Sequence, residues 1–214
     1  TGDYEEIYRR NTGFFNGSVS GYYQEPYITS FRANVLLAEI EGVTGISQTD
    51  IDRIKGEALF LRGMTHMDVL LKFAQPYGFT PDNSHPGISV KTEASQDVVL
   101  RSTFQEAYDQ VEIDLLEAAQ LLADGNDRGF GFATEFAAKA YLARLYFYSN
   151  QYEEAYEMAN DVIEKIDDNV YKFRSLLGKV NMVHTLRKWF YCEADEFELK
   201  PNSLRFMRML QKEL

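Results

Sequence analysis

The sequence has little cysteine, proline, histidine or tryptophan: one Cys, five Pro, three His and one Trp in 214 residues. The lone cysteine, Cys192, excludes an internal disulfide and any multi-cysteine metal cluster. The histidines His66, His85 and His184 lie far apart and form no i,i+4 pair, so no helical pair of zinc ligands is available. Long apolar runs are missing too, and nothing approaches the ~18 consecutive apolar residues of a membrane-spanning helix. The first residues, Thr1 to Glu6, have neither the basic start nor the apolar stretch of a signal peptide. A soluble chain, mature or truncated, is the expectation. Basic charge is scarce: 22 Lys plus Arg face 33 Asp plus Glu, a formal net charge of −11. That sign opposes nucleic acid or an anionic lipid surface as the main partner.

Strand formers are also in short supply. The 12 Val and 10 Ile are outnumbered by 17 Ala, 20 Leu and 19 Glu, a bias toward helix that predicts an all-α protein. With 45% hydrophobic residues the chain can build a core and is not of the disordered class. What is plentiful is aromatic side chain, 14 Tyr and 15 Phe.

Residues 1–10 suggest a short helix, and residues 11–26 read as a Gly-, Ser- and Asn-rich loop interrupted by aromatic pairs. A helix is predicted from about Tyr27 to Glu41, with Ile28, Phe31, Val35 and Ala38 along one stripe, closed by Gly42 and Gly45. The next runs from about Thr49 to Phe73. Its second half carries Leu61, Met64, Met67, Val69, Leu70, Leu71 and Phe73 on several faces, which predicts a central, largely buried helix. Gln75 to Leu100 holds Pro76, Pro81 and Pro86 without helical periodicity, and a loop of that length is usually functional or mobile. Helix resumes at Ser102, where Ser102 and Gln105 have capping-box spacing, and its stripe runs through Phe104, Ala107, Tyr108, Val111, Leu115, Ala118 and Leu122.

Two further helices, about 133–149 and 152–165, are separated by Asn150 and Gln151 alone and must form an antiparallel hairpin. From Leu142 to Ile163 this hairpin looks like a tetratricopeptide repeat. Ala143, Ala155 and Ala159 permit close helix approach, and Tyr146 and Tyr152 fill the volume around them. The pairs 27–41 with 49–73 and 103–123 with 133–149 fit as degenerate units, since one repeat cannot bury its face alone. The expected fold is an all-α, tetratricopeptide-like helical repeat superhelix with long loops. Beyond Tyr171 the charge changes sign. Residues 172–214 carry nine Lys or Arg against five Asp or Glu, net +4, and residues 1–171 carry −15. The predicted organisation is an N-terminal segment with an aromatic loop (1–26), a helical repeat domain (27–171) and a basic tail (172–214) with helices near 181–191 and 202–214.

In this order the segments resemble the N-terminal, repeat-containing half of the SusD/RagB family of outer-membrane nutrient-binding lipoproteins. Tyr27 to Leu37 is similar to the family's helix with Arg-x-Asn before paired apolar residues, here Arg32, Asn34 and Leu36-Leu37. Lys55 to Gly63 is similar to its Glu-Ala-x-Phe-Leu-Arg-Ala, with Gly63 in place of the last Ala, and Tyr77-Gly78 and Pro86-Gly87-Ile88 follow at a suitable distance. Arg101-Ser102-Thr103 running into Ala107-Tyr108 and Asp114-Leu115 to Ala119 is the third segment, and the alanine-rich hairpin the fourth. No counterpart of the family's downstream region follows Asp168, and no lipid-bearing N-terminal cysteine is present, so a fragment or a variant with an unrelated tail is expected. The resemblance implies a surface-exposed lipoprotein that captures an oligosaccharide, or in some relatives a peptide, and caps a TonB-dependent (SusC-like) transporter. It implies no cofactor and no enzymatic chemistry. The alternative is a repeat adaptor that binds a protein or peptide through residues 133–165.

A sugar binder needs exposed aromatic platforms beside groups that hydrogen-bond hydroxyls. Phe14, Phe15, Asn16, Tyr22 and Tyr23 satisfy that need in the loop before the first family-like helix, against the simpler reading that they anchor the loop to the core. Tyr77 and Phe79 are second-rank candidates. Glu57, Arg62, Arg32 and Asn34 read as structural hydrogen-bonding residues, His66 as a helix-packing residue, and Tyr146, Tyr148, Tyr152 and Tyr156 as repeat packing. Asp124-Gly125-Asn126-Asp127 hints at calcium, but Arg128 and the absence of a Glu at the twelfth position favour a solvated turn. Asn16-Gly17-Ser18 is a formal glycosylation sequon. No nucleophile motif, phosphate-cradling loop or Cys–His pairing is present in the sequence.

Overall fold

The computed structural model describes residues 3–13, 15–123 and 131–163. These fall in two compact units that divide after Ala138. The first unit is organised around one long helix. Ser47 caps it, its side chain accepting from the Asp50 N–H, and α3 then runs over Gln48–Phe73. In chain order it is preceded by α1 (Asp3–Tyr8) and α2 (Gly17–Glu39), and followed by α4 (Phe104–Leu121). α3 packs against both α2 and α4. Among the described residues there is no β-strand, only an isolated bridge between Pro86 and Thr103.

α3 is buried from Gly56 onward: Ala58, Leu59, Met67, Val69 and Leu70 are at most 4% exposed, whereas of the other apolar residues expected inside, Leu61 stays exposed at 38% and Met64, Leu71 and Phe73 are half-buried. Two glycines seven residues apart set its approach to α4. A Cβ on Gly56 would lie 2.8 Å from Leu122 Cγ, and one on Gly63 would lie 3.0 Å from Leu115 Cγ. Gly63 therefore admits the Leu115 side chain to space that an alanine would contest. α4 is tied down by a capping box one residue beyond the predicted one. Thr103 accepts from the Glu106 N–H at 3.2 Å, and the Thr103 N–H donates to Glu106 Oε2 at 2.8 Å. Ser102 instead donates its hydroxyl to the Ile88 carbonyl, and the Gln105 side chain accepts from Asn83, because the chain just upstream pairs with residues 83–88.

The larger correction concerns α2. Residues 17–26 form no loop. The helix begins at Gly17 and passes through Pro26 to Glu39, with a 3-10 turn over Ile40–Gly42. Pro26 has no N–H to offer the Tyr22 carbonyl and normally marks a boundary, which is why a helix starting at Tyr27 is the natural reading. Tertiary contacts override it. Asn16 caps the first turn through a 3.0 Å bond from the Val19 N–H. The Tyr23 ring lies 5.2 Å from Tyr27 and, edge-on, 5.1 Å from Phe73 at the end of α3.

Residues 75–103 lack helix yet are closely tied. The Arg101 guanidinium donates to the Gly87 carbonyl at 2.8 and 2.6 Å. His85 is buried at 4%, between Thr80 and the Gln75 carbonyl. Gly87 sits where a Cβ would fall 2.5 Å from the Thr103 carbonyl oxygen, so no other residue fits there.

In the second unit, α5 (Glu135–Tyr148, crossing the division) and a helix over residues 152–163 make the predicted hairpin. Asn150 takes the left-handed conformation at the turn, with φ 61°. Ala143, Ala155 and Ala159 are buried, Tyr146 is 7% exposed, and Lys139 on one helix donates to Asp161 on the other at 2.7 Å. The Asp124–Asp127 turn, Phe14, the 171 boundary, His184, Cys192 and the helices expected near 181–191 and 202–214 lie outside the described residues.

Candidate functional site

Three polar side chains on the family-like segments, Asn34, Arg62 and Asp114, turn inward. Arg62 makes a bidentate pair with Asp114: Nε donates to Oδ2 at 2.8 Å and Nη2 to Oδ1 at 2.7 Å, with the Asp114 side chain fully buried. Gln110 donates to the same carboxylate at 2.8 Å. The remaining guanidinium nitrogen donates to Asn34 Oδ1 at 3.0 Å and to the Thr92 carbonyl. Asn34 in turn donates to the carbonyls of Lys91 and Glu93. One network thus joins α4, α3, α2 and the 91–93 segment. Glu57 pairs with Arg53 at 3.3 Å. The structural reading of Arg62 and Asn34 holds, whereas Arg32 stays exposed.

His66 adds a fourth pin. It is 1% exposed, and Nε2 accepts from the Lys91 N–H at 3.4 Å and meets Ser30 Oγ at 3.3 Å. A backbone amide can only donate, so Nε2 carries no proton and Nδ1 does. Nδ1 is buried and finds no hydrogen-bond partner. Burial, with the Arg62 charge nearby, lowers the His66 pKa from 6.5 to about 4. Burial, with the Tyr23 hydroxyl nearby, raises the Tyr27 pKa well above the ordinary tyrosine value.

The opposite environment holds at the start of α2. Phe15 is 91% exposed, Tyr22 48% and Tyr23 38%. Asn16, between them, is 3% exposed: Oδ1 receives the Val19 N–H and Nδ2 donates to Glu6 Oε2 at 2.9 Å. Of the five predicted ligand residues, then, three present rings to solvent, one is a buried cap and Phe14 is outside the described residues. Tyr77 packs 5.6 Å from Tyr108 and 6.0 Å from Phe104, while Phe79 is 60% exposed beside His85. Asp114, part of the third family-like segment, and Glu6 are the two carboxylates whose structural roles emerge only here. Asp114 had a visible signal, an acid set in the apolar stripe between Val111 and Ala118. Glu6 had none, since its partners Gly13 and Asn16 are fixed only by a chain reversal. Among the described residues no acidic or histidine cluster could hold a metal, and no helix is long and apolar enough to cross a membrane.

The described residues thus form a helical body locked by a buried ion pair, with aromatic rings exposed around the start of α2. Residues 3–147 match the SusD-like family model described as starch-binding associating with outer membrane, and the chain belongs to this family. Among solved structures, it is similar to a SusD superfamily protein from Bacteroides thetaiotaomicron, with 28% identity over 69% of this chain and 35% of that one, TM-score 0.60. A SusD superfamily protein from Bacteroides vulgatus shares the fold at TM-score 0.69 and 24% identity, over 78% of this chain and 38% of its own. A laminarin-binding SusD-like protein matches at 26% identity and TM-score 0.55, over 66% of this chain and 29% of its own. The chain spans about a third of the length of these relatives. No curated protein matches it. The family description associates its members with the outer membrane, and the solved relatives include a SusD-like carbohydrate-binding protein.

Proposed function

We propose that this chain is the N-terminal helical part of a non-enzymatic glycan-binding protein at the outer-membrane surface, which presents oligosaccharide to a TonB-dependent, SusC-like transporter. The full-length protein is held there by a lipid anchor. The observation that carries the ligand class is the exposed aromatic edge at the start of α2, Phe15, Tyr22 and Tyr23, in a chain of the SusD-like family. Pyranose rings offer apolar C–H faces that stack on such rings, and the phenolic hydroxyls of the tyrosines can exchange hydrogen bonds with sugar hydroxyls. The helical repeats, organised as a tetratricopeptide-like superhelix, serve as scaffold and transporter-docking surface. Asn16 then shapes the turn that leads into this edge.

Titration calorimetry of the chain with maltohexaose and laminarihexaose, glucans of the starch and laminarin types, tests this reading. Tyr22→Ala is the informative variant, because Tyr23 also packs against Phe73 and its loss would disturb α2. Affinity about fivefold weaker with an unchanged melting temperature supports the reading. Absence of binding by the unsubstituted chain to both glucans overturns it.

A further inference from the structure

The turn that carries Phe15 is bolted from both sides. Glu6, on the short helix α1, places one carboxylate oxygen, Oε2, where it accepts the Gly13 N–H at 3.2 Å and the Asn16 side-chain N–H at 2.9 Å. The other end of the Asn16 amide is committed to the first turn of α2 through the Val19 N–H. The Asn16 backbone N–H closes the turn onto the Gly13 carbonyl at 3.2 Å. Glycine and serine around this segment would otherwise leave it free to sample many conformations. The result is an abrupt contrast between neighbours: Asn16 is 3% exposed and Phe15 is 91% exposed. An exposed ring carried on a turn tied by these bonds loses less backbone freedom on binding, so it is better preorganised to receive a flat apolar surface.

We infer that Glu6 is a positioning residue for ligand capture: by clamping Gly13 and Asn16 it fixes Phe15 as the outermost sugar-stacking platform of the α2 edge. The inference rests on the glycan-binding reading and goes beyond it, because it assigns the role to a carboxylate on a different helix that never touches the sugar. Both hydrogen bonds use the same oxygen, which separates two variants. Glu6→Gln keeps an acceptor oxygen and should keep the clamp, whereas Glu6→Ala removes it. The two bonds also stabilise the charged carboxylate and lower its pKa, so the clamp is at full strength at neutral pH.

The test compares Phe15→Ala, Glu6→Ala, Glu6→Gln and Tyr22→Ala in the full chain, by calorimetry with laminarihexaose and maltohexaose and by hydrogen exchange at the Gly13 and Val19 amides. Phe15→Ala and Glu6→Ala should each weaken binding about fivefold, the pair together should be no worse than Phe15→Ala alone, and Glu6→Gln should restore most of the affinity. Gly13 exchange should accelerate in Glu6→Ala and not in Glu6→Gln. If Tyr22→Ala weakens binding while Phe15→Ala and Glu6→Ala leave it unchanged, the inference is overturned and the glycan-binding reading stands. If Phe15→Ala weakens binding and Glu6→Ala does not, Glu6 has no positioning role. If the unsubstituted chain binds neither glucan, both fall together.

Discussion

The two ends of α2 use polar and aromatic residues for opposite purposes. At the C-terminal end Ser30 and Asn34 point inward and meet His66 and Arg62, and each of the four is at most 9% exposed. At the N-terminal end Phe15, Tyr22 and Tyr23 face solvent while a single buried amide, Asn16, holds the turn. The inner end directs its hydrogen bonds to the backbone carbonyls of residues 91–93, tying the proline-bearing 75–100 segment to the helices. Tyr23 there also packs on Phe73, but the Phe15 and Tyr22 rings stay largely exposed, an arrangement suited to recognition of an apolar surface. Chemically similar residues thus divide into stability and binding according to what lies across from them.

Breaking the inner end should have the largest effect. Asp114→Ala leaves the Arg62 charge buried without its bidentate partner and should destabilise by about 3–5 kcal/mol in urea unfolding. A loss under ~1 kcal/mol would show that water replaces the carboxylate and that the network does not lock the helices. The next effect is on pH dependence. His66 has a folded pKa of about 4 against 6.5 for an unperturbed ring, so between those values the unfolded chain takes up a proton that the folded chain refuses. Stability should be flat above pH 6.5 and fall by about 3 kcal/mol as pH drops toward 4. His66→Gln should remove that component, and a slope identical in both proteins would assign the loss to carboxylates instead. Gly63→Ala should cost about 1–3 kcal/mol, because the added methyl would stand 3.0 Å from Leu115 Cγ. Unchanged stability would mean that Leu115 gives way freely. The smallest effect is expected at the outer end: Tyr22→Ala and Phe15→Ala should stay within about 0.5 kcal/mol of the parent. A larger loss would erase the contrast between the two ends and recast these rings as packing residues.

Much of the helical layout is legible in the residue pattern. The helix from about Thr49 to Phe73, the apolar stripe from Phe104 to Leu122 and the alanines of the 142–163 hairpin each report a local preference that the fold keeps. The failures are equally specific. Pro26 reads as a helix boundary because a proline withdraws one hydrogen bond, and only the Tyr23–Phe73 contact, across about fifty residues, shows why the helix passes through it. The capping box is displaced from Ser102 to Thr103 because Ser102 has a partner in Ile88, again outside any local window. Gly63, a minor departure from the family pattern on paper, proves to be a point of close helix approach.

For the candidate site, the sequence nominates the aromatic cluster before Pro26 but does not sort its members. Exposure does the sorting, and exposure depends on where α1 and α3 lie. What the sequence by itself determines here is the all-α class, the approximate helix limits and the family, since propensity, periodicity and short motifs are properties of neighbouring residues. What only the tertiary structure decides is which charges pair, which rings face water and which carboxylate holds the Phe15 turn. Those outcomes follow from contacts between residues distant in the chain, such as Arg62 with Asp114 and Ser30 with His66, for which no local pattern encodes the partner.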